Sequence, residues 1–318
     1  CSVNIFFANA LMMGVKGVGE KNVSFYYIIL RLTGVLKLVD KEKIYDIIKT
    51  LSSMACRCRK IIPKGEQMRP IKLFCLPYAG GSAVVYSNWQ DDLDRSIEVV
   101  PVELAGRGRR IVEPFYNSMD EAAEDVIRII KYDLSAAPYA FFGHSMGAGV
   151  AYHVAQKLRT KVYPQPVHLF FSGRGAPHIL RKDKPAYHTL PEDEFREKVM
   201  DLGGTPEEFF QHPELLEVLL PLLRTDFKIS WLFTRYYSEN FDTIKPLDCN
   251  FTVFIGKDDD LKPEQIQGWK AHSSQSCTIH SFEGGHFFLN HEKEKKQMLE
   301  MVNDTLLKIA SRRIPISV

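Results

Sequence analysis

Tyr139-Ala-Phe-Phe-Gly143-His144-Ser145-Met146-Gly147 passes from an apolar run through a G-x-S-x-G pentapeptide into a helical pattern with no spacer. Tyr139–Phe142 reads as a buried strand, and Met146 to about Leu158 as the helix that follows. A turn this tight leaves no room for side chains at its flanks, so glycine stands at both. The serine hydroxyl is thereby lifted above the sheet at a helix N-terminus. The pentapeptide is common by chance, and it is the strand–turn–helix setting that makes Ser145 a candidate nucleophile.

Outward from this turn the chain alternates strand and helix. Strands are expected at Ile71–Leu76, Ile97–Val102, Val167–Ser172, Phe251–Ile255 and Thr278–Phe282. Helices are expected at Met119–Leu134, around Pro263–Ala271 and at His291–Ile309. Such alternation predicts an α/β fold with a mainly parallel sheet and helices on both faces. The rhythm breaks between Ser172 and Cys249, where Glu192–Leu202 and Pro213–Phe233 are both helical in pattern with no strand between them. Two amphipathic helices inserted there suit a helical lid, about 178–245, over an apolar pocket; the plainer reading is that they thicken the core.

A serine hydroxyl is a weak nucleophile at neutral pH and needs a base, itself held in one tautomer by a carboxylate. Downstream of the insertion, Gly256-Lys-Asp258-Asp259-Asp260 puts three carboxylates in the loop that leaves a buried strand. Glu283-Gly-Gly-His286 places a histidine in a glycine-softened loop after the next strand. Taken singly, the acidic run reads as a solvated turn and the histidine as a surface or core residue. Their order, serine then acid then histidine, is that of an α/β-hydrolase triad with Ser145 and His286. An attacked carbonyl also needs N–H donors for its oxyanion. One is expected from Met146 and the second from the loop Pro77-Tyr78-Ala79-Gly80-Gly81.

These segments carry a resemblance. Leu76-Pro77-Tyr78-Ala79-Gly80-Gly81-Ser82, Leu104-Ala-Gly-Arg-Gly-Arg109, Phe141–Gly147, Leu202-Gly-Gly-Thr-Pro206, Leu223-Arg-Thr-Asp226 and Glu283–Phe287 together resemble the type II thioesterases. Those stand-alone enzymes accompany nonribosomal peptide and polyketide synthases and are related to the medium-chain thioesterase of fatty acid synthase. The resemblance runs from about Ile71 to about Ile309. It implies the α/β-hydrolase fold, Ser145, Asp259 and His286 as catalytic residues, and the backbone of Ala79 and Met146 as oxyanion donors. It also implies an acyl thioester on the phosphopantetheine arm of an acyl or peptidyl carrier protein as substrate, with no metal or bound cofactor, and release of misprimed or stalled acyl groups as the role. Release of medium-chain fatty acids, a general lipase or carboxylesterase, and a non-catalytic hydrolase-fold binding protein are the alternatives.

Composition narrows the classes. The 318 residues are 45% hydrophobic and 25% charged, enough for one globular domain with a sizeable core. A formal net charge of +2 gives no reason to expect nucleic acid as a partner. The charge is uneven: residues 1–67 hold 11 Lys/Arg against 5 Asp/Glu, leaving 30 against 34 downstream. That stretch is read as an N-terminal extension with a solvated basic leader, to which no role is assigned; the domain proper is 68–318. Within it, Glu42–Met54 has a short amphipathic pattern, and Val23–Leu36 is too short to span a bilayer and is interrupted by Arg31. Cysteines at 1, 56, 58, 75, 249 and 277 lack C-x-x-C spacing. Cys56 and Cys58 read as free thiols and Cys75 as a small core residue. A soluble, cytoplasmic monomer without membrane contact is expected. Arg107, Arg109 and Arg110 read either as a contact for an acidic carrier protein or as structural.

Overall fold

The computed structural model describes residues 69–181, 183, 185–204 and 212–312. The readings at Val23–Leu36, Glu42–Met54, Cys56 and Cys58 lie outside them. Six strands, β1 (Ile71–Leu76), β2 (Ile97–Pro101), β3 (Tyr139–His144), β4 (His168–Ser172), β5 (Phe251–Gly256) and β6 (Cys277–Phe282), form one sheet in the order β2-β1-β3-β4-β5-β6. Every pairing is parallel, with Phe74 beside both Val100 and Phe141, and Phe142 beside Phe170.

Parallel strands covered on both faces read as unbroken apolar runs. That is the pattern of the inner strands β3, β4 and β5, each buried along its whole length. The outer strands β2 and β6 are only partly covered and carry Glu98, Thr278 and His280. Period-two alternation then sorts the side chains. Phe74, Leu76, Phe141, Leu169 and Phe171 face one core, shared with α1 (Met119–Leu134) and α2 (Met146–Leu158). Leu73, Cys75, Ala140, Phe142 and Phe170 face the other, filled by Trp89 and by Met298, Leu299, Val302 and Leu306 of the closing helix. Cys75, Cys249 and Cys277 are free thiols, and Cys75 is fully buried in that second core.

Between β4 and β5 come helices α3 (Glu192–Asp201) and α4 (Pro213–Glu239). Helix α4 runs to Glu239, beyond Phe233 where its apolar pattern was expected to stop. Tyr237 continues the buried face one turn on, and its hydroxyl meets His153 Nδ1 at 2.8 Å. The two halves of α4 pack differently. Ile229, Phe233 and Tyr237 belong to the main core, whereas Leu216 and Leu223 form a separate small cluster with Phe195 and Val199 of α3. The second half of the helix thus thickens the main core, while the first half packs against α3. The helix expected at Pro263–Ala271 is a short α5 (Pro263–Gln267) followed by a 3-10 turn, Gly268–His272. Gly268 marks the change, since a Cβ there would lie 2.7 Å from Ile179 Cδ1 and 2.9 Å from Ala176 Cβ. The last element among the described residues is α6 (Glu292–Ser311).

His168 opens β4 with its ring buried, Nε2 2.8 Å from Thr252 Oγ1. Burial lowers its pKa from 6.5 to about 4, and burial with a neighbouring histidine, His178, lowers His272 to about 3. Because the folded values lie below the unfolded one, the unfolded chain takes up protons first as pH falls below 6.5. The neutral rings thus contribute stability above pH ~6.5 that is lost on acidification, at about 1.4 kcal/mol per pH unit for each such histidine. Urea midpoints between pH ~6.5 and ~5, above the range where carboxylates titrate, are expected to fall, and His168→Gln is expected to flatten the slope. A midpoint that holds or rises over that interval would contradict the neutral assignment.

Candidate active site

The sheet order reverses direction at β1: β2 lies to one side of it and β3 to the other. Loops leaving the C-terminal ends of β1 and β3 therefore diverge onto opposite faces and open a crevice between them. Ser145 stands at that crevice, directly after β3. Its backbone, φ 53° and ψ −114°, makes it the single non-glycine residue with positive φ among the described residues. Neighbouring packing enforces this conformation. A Cβ on Gly143 would come 2.2 Å from the Gly147 carbonyl oxygen, and one on Gly147 2.1 Å from the carbonyl oxygen of Leu76 in β1. Ser145 N–H donates to the Ser172 carbonyl at 2.8 Å, tying the turn to β4. Among the described residues the serine hydroxyl has no hydrogen-bond partner.

The candidate acid and histidine come from the loops after β5 and β6. Gly256 ends β5 against the loop after β6, where a Cβ would sit 2.1 Å from the Gly285 carbonyl oxygen, and Asp258 N–H donates to the Gly284 carbonyl at 3.0 Å. Held this way, His286 Nδ1 lies 2.9 Å from Asp259 Oδ2. The side chain of Asp259 is 7% exposed and that of His286 22%. Asp258 is exposed, and Asp260 accepts from Arg181 at 3.1 Å. Ser145, Asp259 and His286 line one cavity of about 620 Å³ together with Tyr78, Ala79, Leu223 and Phe227. Its apolar side is built by the insertion; its polar rim includes Arg181, Lys198, Asp201 and His291.

His144 lies beneath the site, its ring 5.1 Å from that of His286 and edge-on to Tyr78. Nδ1 meets Ser172 Oγ at 2.9 Å. Burial, with His286 adding to it, holds this imidazole well below its usual pKa, so it is neutral at pH 7. A neutral ring there does not oppose a positive charge on His286.

Ala79 and Met146 present backbone N–H groups that donate to no protein acceptor among the described residues, whereas the N–H of Gly80 donates to Asp226 at 2.8 Å. Two features went unread in the sequence. Arg107 and Asp226 form a buried bidentate pair, and Arg174 donates to the Ser145 carbonyl as well as to Ser230 and Thr234 of α4. The Leu104–Arg109 and Leu223–Asp226 motifs were the available signal, though neither carried a role by itself. Of the three arginines read as a carrier contact or as structural, Arg107 is buried in that pair and Arg110 is engaged by Glu113 and Asp125; Arg109 is exposed.

A model of the thioesterase domain family matches residues 71–306. The chain belongs to this family. It has the α/β-hydrolase fold, as have the thioesterases of known structure that it resembles. Among curated relatives, a protein of Brevibacillus parabrevis named linear gramicidin dehydrogenase LgrE is 39% identical over 248 residues, 77% of this chain and 90% of that one. The medium-chain S-acyl fatty acid synthase thioesterase of Rattus norvegicus is 34% identical, over 69% of this chain and 81% of its own. The solved RedJ thioesterase, from the prodiginine pathway of Streptomyces coelicolor, superposes with a TM-score of 0.66 at 34% identity, covering 77% and 95% of the two chains. Among the described residues of this thioesterase no helix is long and apolar enough to cross a membrane, and no group of three or more His, Cys, Asp or Glu could hold a metal ion.

Asp259 is bonded to His286, so the three neighbouring carboxylates are expected to respond unequally to substitution. Asp259→Asn should lower thioesterase turnover by about a hundredfold or more, since the amide would favour the wrong tautomer. Asp258→Asn and Asp260→Asn should stay within about threefold of wild type, as expected for exposed side chains. A crippled Asp258→Asn beside an active Asp259→Asn would show the geometry of this loop to be misassigned.

Proposed function

We propose that this chain is a serine thioesterase that hydrolyses acyl thioesters from the phosphopantetheine arm of carrier proteins, clearing misprimed or stalled acyl groups from nonribosomal peptide and polyketide synthase modules. The observation that carries this reading is the His286–Asp259 pair on the same cavity as an elbow serine, in a chain of the thioesterase family. In the proposed triad Ser145 attacks the carbonyl while His286 Nε2 takes its proton, and Asp259 holds the ring through Nδ1 and stabilises the imidazolium. Ala79 and Met146 are the oxyanion donors, their free N–H groups agreeing with that role. Collapse of the intermediate transfers the proton from His286 to the departing thiolate and leaves an acyl-serine. Water then attacks the acyl-serine with His286 as base, releasing the acid and restoring the hydroxyl. A thioester carbonyl has little resonance stabilisation, so a modestly activated serine suffices. The mechanism calls for no metal or bound cofactor.

The editing role rests on relatives and solved structures named for peptide and prodiginine pathways. The dehydrogenase name of one of them is not carried over, because a hydroxyl, an imidazole and a carboxylate around one cavity form a hydrolytic set. Release of medium-chain fatty acids is the second reading, supported by the rat relative. Helix α3 and the first half of α4 act as the lid, roofing the cavity with Val199 and Leu223. The catalytic domain is residues 68–318, and the enzyme works as a cytoplasmic monomer.

Acyl-carrier protein, acyl-coenzyme A and a nitrophenyl ester offered to wild type and Ser145→Ala test this directly. Wild type should prefer the carrier-bound thioester, and the variant should lose at least about a thousandfold in turnover. Equal turnover by the two proteins ends the enzyme reading, and equal rates on ester and thioester favour a general esterase. A chain beginning at Met68 should keep turnover; insoluble or inactive protein would show that the preceding segment is needed for the fold.

A further inference from the structure

Helix α4 is bonded to the loop after β1 at a single buried carboxylate. Asp226 Oδ2 accepts from Gly80 N–H at 2.8 Å and from Arg107 Nη1 at 2.6 Å, while Oδ1 accepts from Arg107 Nη2 at 2.8 Å. Arg107 also donates to the carbonyls of Gly81, at 3.4 Å, and Ala105, at 3.3 Å. The two side chains are 3% and 1% exposed. Three segments remote in sequence thus meet at one ion pair: the loop carrying Ala79, the loop after β2, and α4.

The contact is specific to the residue beside Ala79. Gly80 has φ +73°, and a Cβ on it would lie 2.6 Å from Leu223 Cδ2, one helical turn before Asp226. Leu223 and Ala79 both line the cavity that holds Ser145. The carboxylate therefore uses up the Gly80 N–H and fixes one flank of Ala79, whose own N–H is unspent. If α4 moved away, Gly80 would lose its acceptor and Arg107 would be left buried without a counter-charge. Both losses are costly, so a part-seated helix is disfavoured.

We propose that Arg107 and Asp226 are positioning residues that hold the Ala79 N–H against the substrate carbonyl oxygen, making the seating of α4 and the assembly of the oxyanion hole one event. This rests on the serine thioesterase reading. A pair serving stability alone would change the amount of folded enzyme, whereas a pair that aims an oxyanion donor changes kcat.

The full-length double variant Arg107→Met/Asp226→Leu replaces the pair by apolar groups, which buried ion pairs often tolerate without loss of stability. It leaves Gly80 N–H without its acceptor. Asp226→Asn retains an acceptor oxygen and serves as the conservative variant. Each protein is titrated with a fluorophosphonate to count competent serines, then assayed on acyl-coenzyme A for kcat and KM. A trifluoromethyl ketone, whose adduct with the serine carries an oxyanion, reports on the hole itself. Per titrated site, kcat of the double variant should fall about tenfold to a hundredfold with KM nearly unchanged, and ketone affinity should fall in parallel. Asp226→Asn should lie between it and wild type. The inference is overturned if kcat per site stays within about twofold. It is also overturned if KM alone rises, or if the loss is matched by a fall in titratable sites. An inactive Ser145→Ala beside a fully active double variant defeats this inference alone, whereas an active Ser145→Ala defeats it together with the serine reading.

Discussion

The site depends on one strained residue. Ser145 adopts a backbone conformation that a side-chain-bearing residue avoids, at a cost of the order of 1–3 kcal/mol, and persists there only because its surroundings leave no alternative. Those surroundings are specific. Gly143 is in contact with Gly147, and Gly147 with the Leu76 carbonyl of the neighbouring strand, so β1, β3 and α2 close on each other with no atom to spare. The strain is repaid by the fully buried apolar strands on either side, and the turn is pinned across the sheet by the bond from Ser145 N–H to Ser172.

From that turn the rest of the geometry follows by strand order. Ser145 leaves β3, the Ala79 loop leaves β1, Asp259 leaves β5 and His286 leaves β6, all at C-terminal strand ends of one parallel sheet. Strand spacing of about 4.8 Å makes neighbouring loops meet without long excursions. Asp259 and His286 lie in the loops after adjacent strands and bond directly. Ser145, two strands further along, shares their cavity because the loop after β6 folds back over the sheet edge.

Much of this was legible in the sequence, for reasons that differ along the chain. The inner strands were plain because burial on both faces forces continuous apolar runs, and α1 and α2 because their buried residues keep helical spacing. Asp259 was harder: three consecutive aspartates look alike, and the family resemblance picked out what spacing alone left open. The structure separates them by burial and by the bond to His286. Arg107 and Asp226 were illegible, since an ion pair joining positions 119 apart leaves no periodic trace. Their surrounding motifs marked them as unusual without saying why. The end of α4 was missed for a related reason: Tyr237 reads as amphipathic, and what buries it is the core around Tyr152 on a different helix, with His153 meeting its hydroxyl.

The polar contacts also decide which part of the insertion is able to move. Arg174 donates to Ser230 and Thr234 of α4 while reaching the Ser145 carbonyl, and Asp226 accepts from Gly80 N–H, so α4 from Asp226 onward is joined both to the Ser145 turn and to the Ala79 loop. Ile229, Phe233 and Tyr237 bury that same stretch in the main core. The earlier half is held otherwise. It contributes Leu216 to the small cluster with α3, leaves Leu215 and Val218 exposed, and is set off by Pro221, which removes one backbone hydrogen bond from the helix. Local opening draws on segments with few buried apolar contacts. Lifting the whole of α4 would therefore break the buried ion pair, whereas displacing α3 and the first two turns of α4 would leave it closed.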